Sequence, residues 1–152
     1  MLLAPAVTAA VLSGCVAGEP SPPSPAPSEL TMAVVAERAA HTSTTLVDGR
    51  VLVVGGCVTD GCAIATRETA LVDAGGARAV AGPELREPRS SHTSTPLEGG
   101  RVLVVGGFLG EGEGVTATIE MFDADEGAML RVGSLVQPRG GHAAAPLSDG
   151  RV

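Results

Sequence analysis

The chain is poor in aromatic residues and in basic residues other than Arg. Its 152 residues include no Tyr, no Trp and only two Phe. Lys and Asn are absent as well, so that every basic residue is Arg, and this bias indicates a GC-rich bacterial genome rather than a structural requirement. The formal net charge is −7. An acidic chain without a basic patch argues against nucleic-acid binding.

Several motifs of catalysis and ligand binding are also missing. The sequence contains no Gly-x-Ser-x-Gly, no Walker-type phosphate loop, no zinc-ligand pair and no EF-hand spacing. Acidic, glycine-flanked residues occur at Glu111, Glu113, Asp123, Asp125 and Glu126. The stretch 110–114 among them could hold a hard cation such as calcium, although such a stretch is more often a solvated loop. No long segment has helical periodicity. We therefore expect no cofactor, no metal and no catalytic residue in this chain.

The chain does contain a repeated sequence motif, Gly-Arg-Val-Leu-Val-Val-Gly-Gly. It occurs at 49–56 and at 100–107, and it begins again at 150–152. Each copy follows an Arg-x-x-His, and the His spacings are 92 − 41 = 51 and 142 − 92 = 50. A sequence motif that recurs at a fixed spacing indicates a repeat architecture. The β-branched run predicts a buried strand, Asp48-Gly49 predicts a hairpin turn, and the double glycine predicts a break.

These residues resemble the kelch repeats of β-propellers. The likeness covers Arg-x-x-His, the Asp-Gly-Arg turn, the apolar strand, Gly-Gly, and Glu120-Met121-Phe122-Asp123, for which 70–73 is a degenerate partner. The Trp of the kelch pattern is missing, and Met129 and Ala79 stand near its place. The positions that the resemblance makes structural are Arg38, His41, Gly55, Gly56, Arg89, His92, Gly106, Gly107, Arg139 and His142.

The resemblance implies an all-β fold of kelch-type propeller blades, each a four-stranded antiparallel sheet. Within 31–152 the blades would span 41–85 and 92–135, with a third blade begun at 139–152. The predicted outermost strands are 82–85 and 133–135, and the chain should end inside a strand. A propeller needs ~4–8 blades. We therefore expect either a fragment of a longer protein or a chain that completes its propeller by self-association or with another chain.

The N-terminal residues resemble a bacterial lipoprotein signal. Residues 1–15 are apolar and small, and they end in Leu-Ser-Gly-Cys15, which looks like a lipobox whose Cys is lipidated. No Lys or Arg precedes Cys15, and the alternative is a buried segment that ends in an incidental Cys. Residues 16–30 are rich in Pro and Ser, which predicts an extended, semi-rigid linker. We expect an exported protein whose only membrane contact is a lipid anchor.

Two sets of side chains are candidates for local chemistry. His41, His92 and His142 recur in register, so a shared metal site is conceivable, but repeated register is also what a structural role produces. Cys57 and Cys62 flank Asp60-Gly61 in the loop after the first double glycine. An exported protein allows a disulfide there, and two thiols without further ligands make an incomplete metal site. We favour the structural role for the His residues and the disulfide for the Cys pair.

Two classes of function remain open. The first is a tethered binding module whose loops recognise a protein or a glycan, since loops on a rigid scaffold carry function. The second is a piece of a secreted propeller enzyme that resembles the galactose-oxidase-like copper-radical oxidases. The site of those enzymes requires Tyr ligands, and this chain has no Tyr. We therefore favour the binding module.

Overall fold

The computed structural model describes residues 38–58 and 60–152. Within these residues the chain is all-β, with two four-stranded antiparallel sheets, one small hairpin and a 3-10 turn at Asp60–Cys62. The all-β class and the four-stranded antiparallel sheets are thus confirmed. The predicted signal and linker, with Cys15, and the lead-in 31–37 lie outside the described residues. In the part that is described, no helix is long and apolar enough to cross a membrane.

The first sheet contains four strands in chain order. They are β1 Thr42–Thr45, β2 Val51–Val54, β3 Thr69–Val72 and β4 Ala79–Ala81. Strand β2 lies between β1 and β3, and most of its Val and Leu side chains are buried. This central position explains the unbroken apolar run, because both faces of the strand are covered. The turn before β2 has Gly49 at a φ of 84°, as the Asp-Gly pair predicted.

The second sheet repeats the first and carries an added hairpin. Its strands are β5 Thr93–Pro96, β6 Arg101–Val105, β9 Thr118–Asp123 and β10 Ala128–Ser134. Their order is β10-β9-β6-β5, so β6 takes the place that β2 has in the first sheet. Between β6 and β9 the chain forms a small hairpin of β7 Phe108–Gly110 and β8 Gly114–Val115. In the first sheet the Cys57–Cys62 loop follows the double glycine instead.

One hydrophobic core joins the two sheets. It contains side chains from both of them, which identifies the sheets as stacked layers. Phe122, one of only two aromatic side chains, is 0% exposed in this core. Met129, near the expected Trp position, is also buried there. The core residues are Leu46, Leu52, Val54, Leu85, Val102, Val104, Phe122 and Met129.

The structure corrects the predicted strands in three places. The outermost strand of the first sheet is β4 at Ala79–Ala81 and not 82–85, because Pro83 has no N–H to donate to a neighbouring strand. In the second sheet the outer strand is longer than predicted, since β10 starts at Ala128. The third repeat, 139–152, contains a turn closed by Leu147 N and Arg151 O at 2.7 Å but no strand. A strand there would need a neighbouring strand to pair with.

Candidate binding cleft at the joint between repeat units

We define three repeat units: the first unit is 38–88, the second unit is 89–138 and the third unit is 139–152. The double glycines lie where one unit meets the next. A Cβ on Gly55 would lie 2.4 Å from Arg89 O, and a Cβ on Gly106 would lie 2.4 Å from Arg139 O. Both glycines also have positive φ, at 55° and 61°. The first glycine of each pair therefore allows the backbones of two successive units to touch.

We call this contact between successive units the joint. Backbone hydrogen bonds cross the joint at equivalent positions in the two pairs of units. Gly56 N donates to Arg89 O at 2.9 Å, and Gly107 N donates to Arg139 O at 2.8 Å. A second pair is formed by Ser91 N with Ala40 O at 2.9 Å and by Gly141 N with Ser91 O at 2.8 Å. The joint between the first and second units is therefore repeated between the second and third.

The histidines form the side-chain part of the joint. His92 Nε2 shares a hydrogen bond with Thr42 Oγ1 at 2.8 Å, and His142 Nε2 shares one with Thr93 Oγ1 at 3.2 Å. Each bond links a His to the first strand of the preceding unit. His41, in the first unit, is exposed, and its Nδ1 lies 3.2 Å from Arg38 O. The repeated His is thus an interunit contact in the second and third units.

Burial keeps His92 uncharged. Loss of water around the ring lowers the pKa of His92 to about 3, and the charges of Arg89, His41 and His142 act in the same direction. Burial lowers the pKa of His142 as well. Across 38–58 and 60–152, no group of three or more His, Cys, Asp or Glu side chains is arranged to hold a metal ion. The three histidines are in register without forming one site.

Arg89 is the centre of a buried polar network. Its Nη1 donates to Gly106 O at 3.0 Å and to Thr118 O at 3.2 Å. Its Nη2 donates to Thr118 Oγ1 at 2.7 Å and to Glu120 Oε1 at 2.6 Å. Burial lowers the pKa of Arg89, and the carboxylates of Glu120 and Glu87 oppose this shift. The guanidinium group therefore ties the start of the second unit to the end of β6 and to β9.

A second carboxylate extends this network on the partly exposed side. Glu87 Oε2 accepts from Thr116 Oγ1 at 2.6 Å and from Thr118 Oγ1 at 2.9 Å. The Thr116 hydroxyl is the main reason why the pKa of Glu87 is lowered, and burial opposes it. Arg38 repeats the pattern in the first unit through Gly55 O at 3.4 Å and the Glu68 carboxylate at 2.8 Å.

A cleft of about 400 Å³ opens between the loops that follow the two double glycines. The Phe108 ring contributes to one wall, and it is 42% exposed. A Cβ on Gly140 would lie 2.7 Å from this ring, so the glycine in the third unit makes room for it. The cleft is lined by Gly61, Cys62, Ala63, Ser90, Ser91, Phe108, Gly110 and Glu111. Aromatic and hydroxyl groups in a concave site are suited to ligand binding.

The opposite wall is the disulfide loop of the first unit. Cys57 and Cys62 form a disulfide with a Cα–Cα distance of 4.9 Å. The loop is joined to the second unit by Glu111 N, which donates to Ala63 O at 2.9 Å, and by a bridge between Ile64 and Gly110. The cleft is therefore made by two units together.

Sequence reasoning missed several residues of the joint and the cleft. No sequence motif marked Thr42, Thr93 or Glu87 as a contact residue. A usable signal exists for the threonines, since Thr42 and Thr93 are 51 residues apart like the first two histidines. Phe108 and its partner Gly140 carry no repeated signal, because Cys57 and Ala39 occupy the corresponding places in the first unit.

Comparison with known proteins assigns no family to the chain. No protein-family model matches it, and no curated protein sequence matches it. The likeness to kelch repeats consequently rests on the repeated residues of the chain itself.

Proposed function

We propose that the chain forms consecutive blades of a kelch-type β-propeller that serves as a binding module. The observation that carries the proposal is the repeated joint, in which Gly–Arg and His–Thr contacts link the first unit to the second and the second to the third. Units that contact their neighbours through the same atoms are related by similar rotations. Antiparallel four-stranded sheets stacked in this way are the building blocks of a propeller.

The loops support binding rather than a purely structural role. The strands before the two double glycines are nearly identical, whereas the loops after them differ in length, cysteine content and charge. Variable loops on a uniform scaffold are typical of binding proteins. The cleft is lined by Phe108 and by Glu111, which supply an apolar ring and an acidic residue, a combination that suits a protein side chain or a sugar ring.

A lipid tether completes the proposal. Acylation of Cys15 would anchor the protein to a bacterial membrane, and the Pro-rich residues 16–30 would hold the sheets away from its surface. Export to an oxidising compartment agrees with the Cys57–Cys62 disulfide. The ligand would then be met outside the cytoplasm.

The binding proposal is tested with the full chain on arrays of immobilised glycans and of purified extracellular proteins. We expect saturable binding to a member of one array. The Phe108→Ala variant should weaken this binding by more than about tenfold, the effect of an aromatic hot spot. The control is Val80→Ala, which removes an exposed apolar side chain from β4 outside the cleft. Absence of binding on both arrays, or equal weakening by the two variants, would contradict the proposal.

The tether and the assembly have their own measurements. Radioactive palmitate should label the wild-type protein in a bacterial host and should not label Cys15→Ser. An immunoblot of the native membrane fraction compares the mass with the 15.0 kDa of this sequence. A larger band would indicate further blades in the same polypeptide, and a band at this mass would require assembly with other chains. Oxygen consumption with a sugar or an aldehyde would favour the oxidase alternative.

A further inference from the structure

The two cysteines of the disulfide differ in their surroundings. Cys57 is only 2% exposed, and its backbone exchanges hydrogen bonds with Ala39 at 2.8 and 2.9 Å. Cys62 is partly exposed and lines the cleft. The sulfur of Cys62 is therefore the one that a reagent in the cleft reaches first. The sulfur of Cys57 lies 3.3 Å from Ala39 O, so a reduced Cys57 would have a hydrogen-bond acceptor already in place.

The loop closed by the disulfide contains a residue with an uncommon backbone conformation. Gly61 has a φ of 71°, which glycine adopts freely, whereas Cys62 has a φ of 61° in the left-handed region. A residue with a side chain seldom adopts this conformation unless its surroundings impose it. The covalent link to Cys57 is such a constraint, because it closes a loop in which the two cysteines are five residues apart.

This constrained loop is continuous with the part of the wall that meets the second unit. Ala63, which follows Cys62 directly, accepts the hydrogen bond from Glu111 N, and Ile64 bridges to Gly110. The corresponding hairpin of the second unit needs no disulfide, because Phe108 pairs with Val115 and Gly110 pairs with Gly114 through the backbone. Only the first-unit wall of the cleft thus depends on a bond that a thiol can break.

We propose that the Cys57–Cys62 disulfide is a thiol-exchange site that controls the shape of the cleft. The thiolate of a small dithiol attacks the Cys62 sulfur, the disulfide bond breaks, and the Cys57 sulfur leaves as a thiolate that takes up a proton. The second thiol of the reagent then displaces Cys62 from the mixed disulfide. Both cysteines end as thiols, and the reagent becomes a disulfide, so that two electrons pass to the protein. The loop then relaxes and its contact with Glu111 is lost.

Hydrogen exchange of backbone amides tests this coupling in the full chain, with dithiothreitol as the dithiol. We expect reduction of the disulfide to make hydrogen exchange at Glu111 N about tenfold faster. A factor of this size corresponds to the loss of one backbone hydrogen bond of ordinary strength. The amides of Gly107 and Leu97, which donate to Arg139 O and Arg101 O outside the loop, should not change and show that the fold persists. Unchanged exchange at Glu111 in fully reduced protein would overturn the proposal.

Two cysteine variants test, with oxidised glutathione, which of the two sulfurs is accessible to a reagent in solution. Cys57→Ser leaves the cleft cysteine, and Cys62→Ser leaves the buried one. We expect glutathione to join Cys62 at least about tenfold faster than Cys57, because access governs the exchange rate of otherwise similar thiols. Peptide mass mapping separates both sites from Cys15. Equal rates would show that Cys62 is no more accessible than Cys57, and the assignment of Cys62 as the attacked sulfur would then fail. Neither measurement uses a cleft ligand, so each outcome is independent of the proposed binding function.

Discussion

Arg89 and Glu120 form an ion pair in which both side chains are 0% exposed, with 2.6 Å between Nη2 and Oε1. The corresponding pair of the first unit is Arg38 with Glu68, at 2.8 Å, and the Glu68 side chain is 64% exposed. Gly55 N donates to Glu68 O and Gly106 N donates to Thr118 O, so Glu68 is the equivalent of Thr118 and not of Glu120.

The acidic residue that pairs with the repeated Arg therefore lies two repeat positions later in the second unit than in the first. Side chains two residues apart in a strand lie on the same face, so either position reaches the repeated Arg. In both units the repeated Arg pairs with a Glu, although the two Glu residues occupy different positions of the repeat. The two pairs differ in energy, however, because only the second one is fully removed from water.

Removing Arg89 should be strongly destabilising. We expect Arg89→Met to lower the free energy of unfolding by about 3–5 kcal/mol, because Glu120 is left buried without a countercharge. Urea unfolding followed by circular dichroism measures the change. The control Arg50→Met breaks the exposed pair with Asp48 and should leave the midpoint nearly unchanged. The double variant Arg89→Met/Glu120→Leu should recover part of the loss, and no recovery would contradict an electrostatic origin.

Alanine at either interunit glycine should weaken the joint. For Gly55→Ala and for Gly106→Ala we expect a loss of roughly 3 kcal/mol or more, since strain from the positive φ adds to a clash with a carbonyl oxygen. The matched control is Gly76→Ala, which has a φ of 69° but no atom within 4 Å of the new Cβ. It should cost about 1–2 kcal/mol. Equal thermal destabilisation of Gly55→Ala and Gly76→Ala would mean that the contact with Arg89 O is unimportant.

The hydroxyl of Thr42 should contribute to the packing of the second unit on the first. Thr42→Val keeps the shape of the side chain but leaves His92 Nε2 and Ser94 Oγ without this partner. We expect a loss of about 1–3 kcal/mol, as for other buried polar groups that lose a hydrogen bond. Thr45→Val, at an exposed position of the same strand, serves as the control in the denaturant titration. A comparable loss in that control would point to the strand rather than to the hydrogen bond.

Acid should destabilise the fold through His92. The pKa of His92 falls from 6.5 to about 3 on folding, so the unfolded chain binds more protons between these values. The contribution is fully present above the unfolded pKa, and it is lost as the pH falls towards the folded pKa. We expect about 1.4 kcal/mol of lost stability per pH unit below pH ~6.5. Unfolding titrations from about pH 7 to about pH 5 avoid most carboxylate titration.

The variant His92→Gln provides the control for this titration. It removes the ionisable ring but keeps a side chain that can share a hydrogen bond with Thr42. The slope of stability against pH should become much flatter in this variant. If the slope is unchanged, His142, whose pKa is also lowered by burial, or another group is responsible. That result would contradict the assignment of the acid sensitivity to His92.

Much of the architecture could be predicted from the repeated sequence motif. The central strands β2 and β6 and the turn at Asp48-Gly49 follow from β-branched runs and a local φ requirement. Local signals failed for the outer strand of the first sheet, where β4 begins at Ala79 in a sequence with little apolar alternation. That strand forms by pairing with β3, where Leu71 lies opposite Val80. Neither segment shows this pairing in its own sequence.

The sequence by itself determined the period, the all-β class and the positions that every unit repeats, because these depend on residue type and on short-range backbone preferences. Tertiary structure alone decided that Gly55 meets Arg89, that His92 meets Thr42, and that Phe108 and Cys62 line one cleft. Each of these contacts joins residues from different units. Their formation depends on the rotation between stacked sheets, which arises from packing across the whole core and is not encoded in any single repeat.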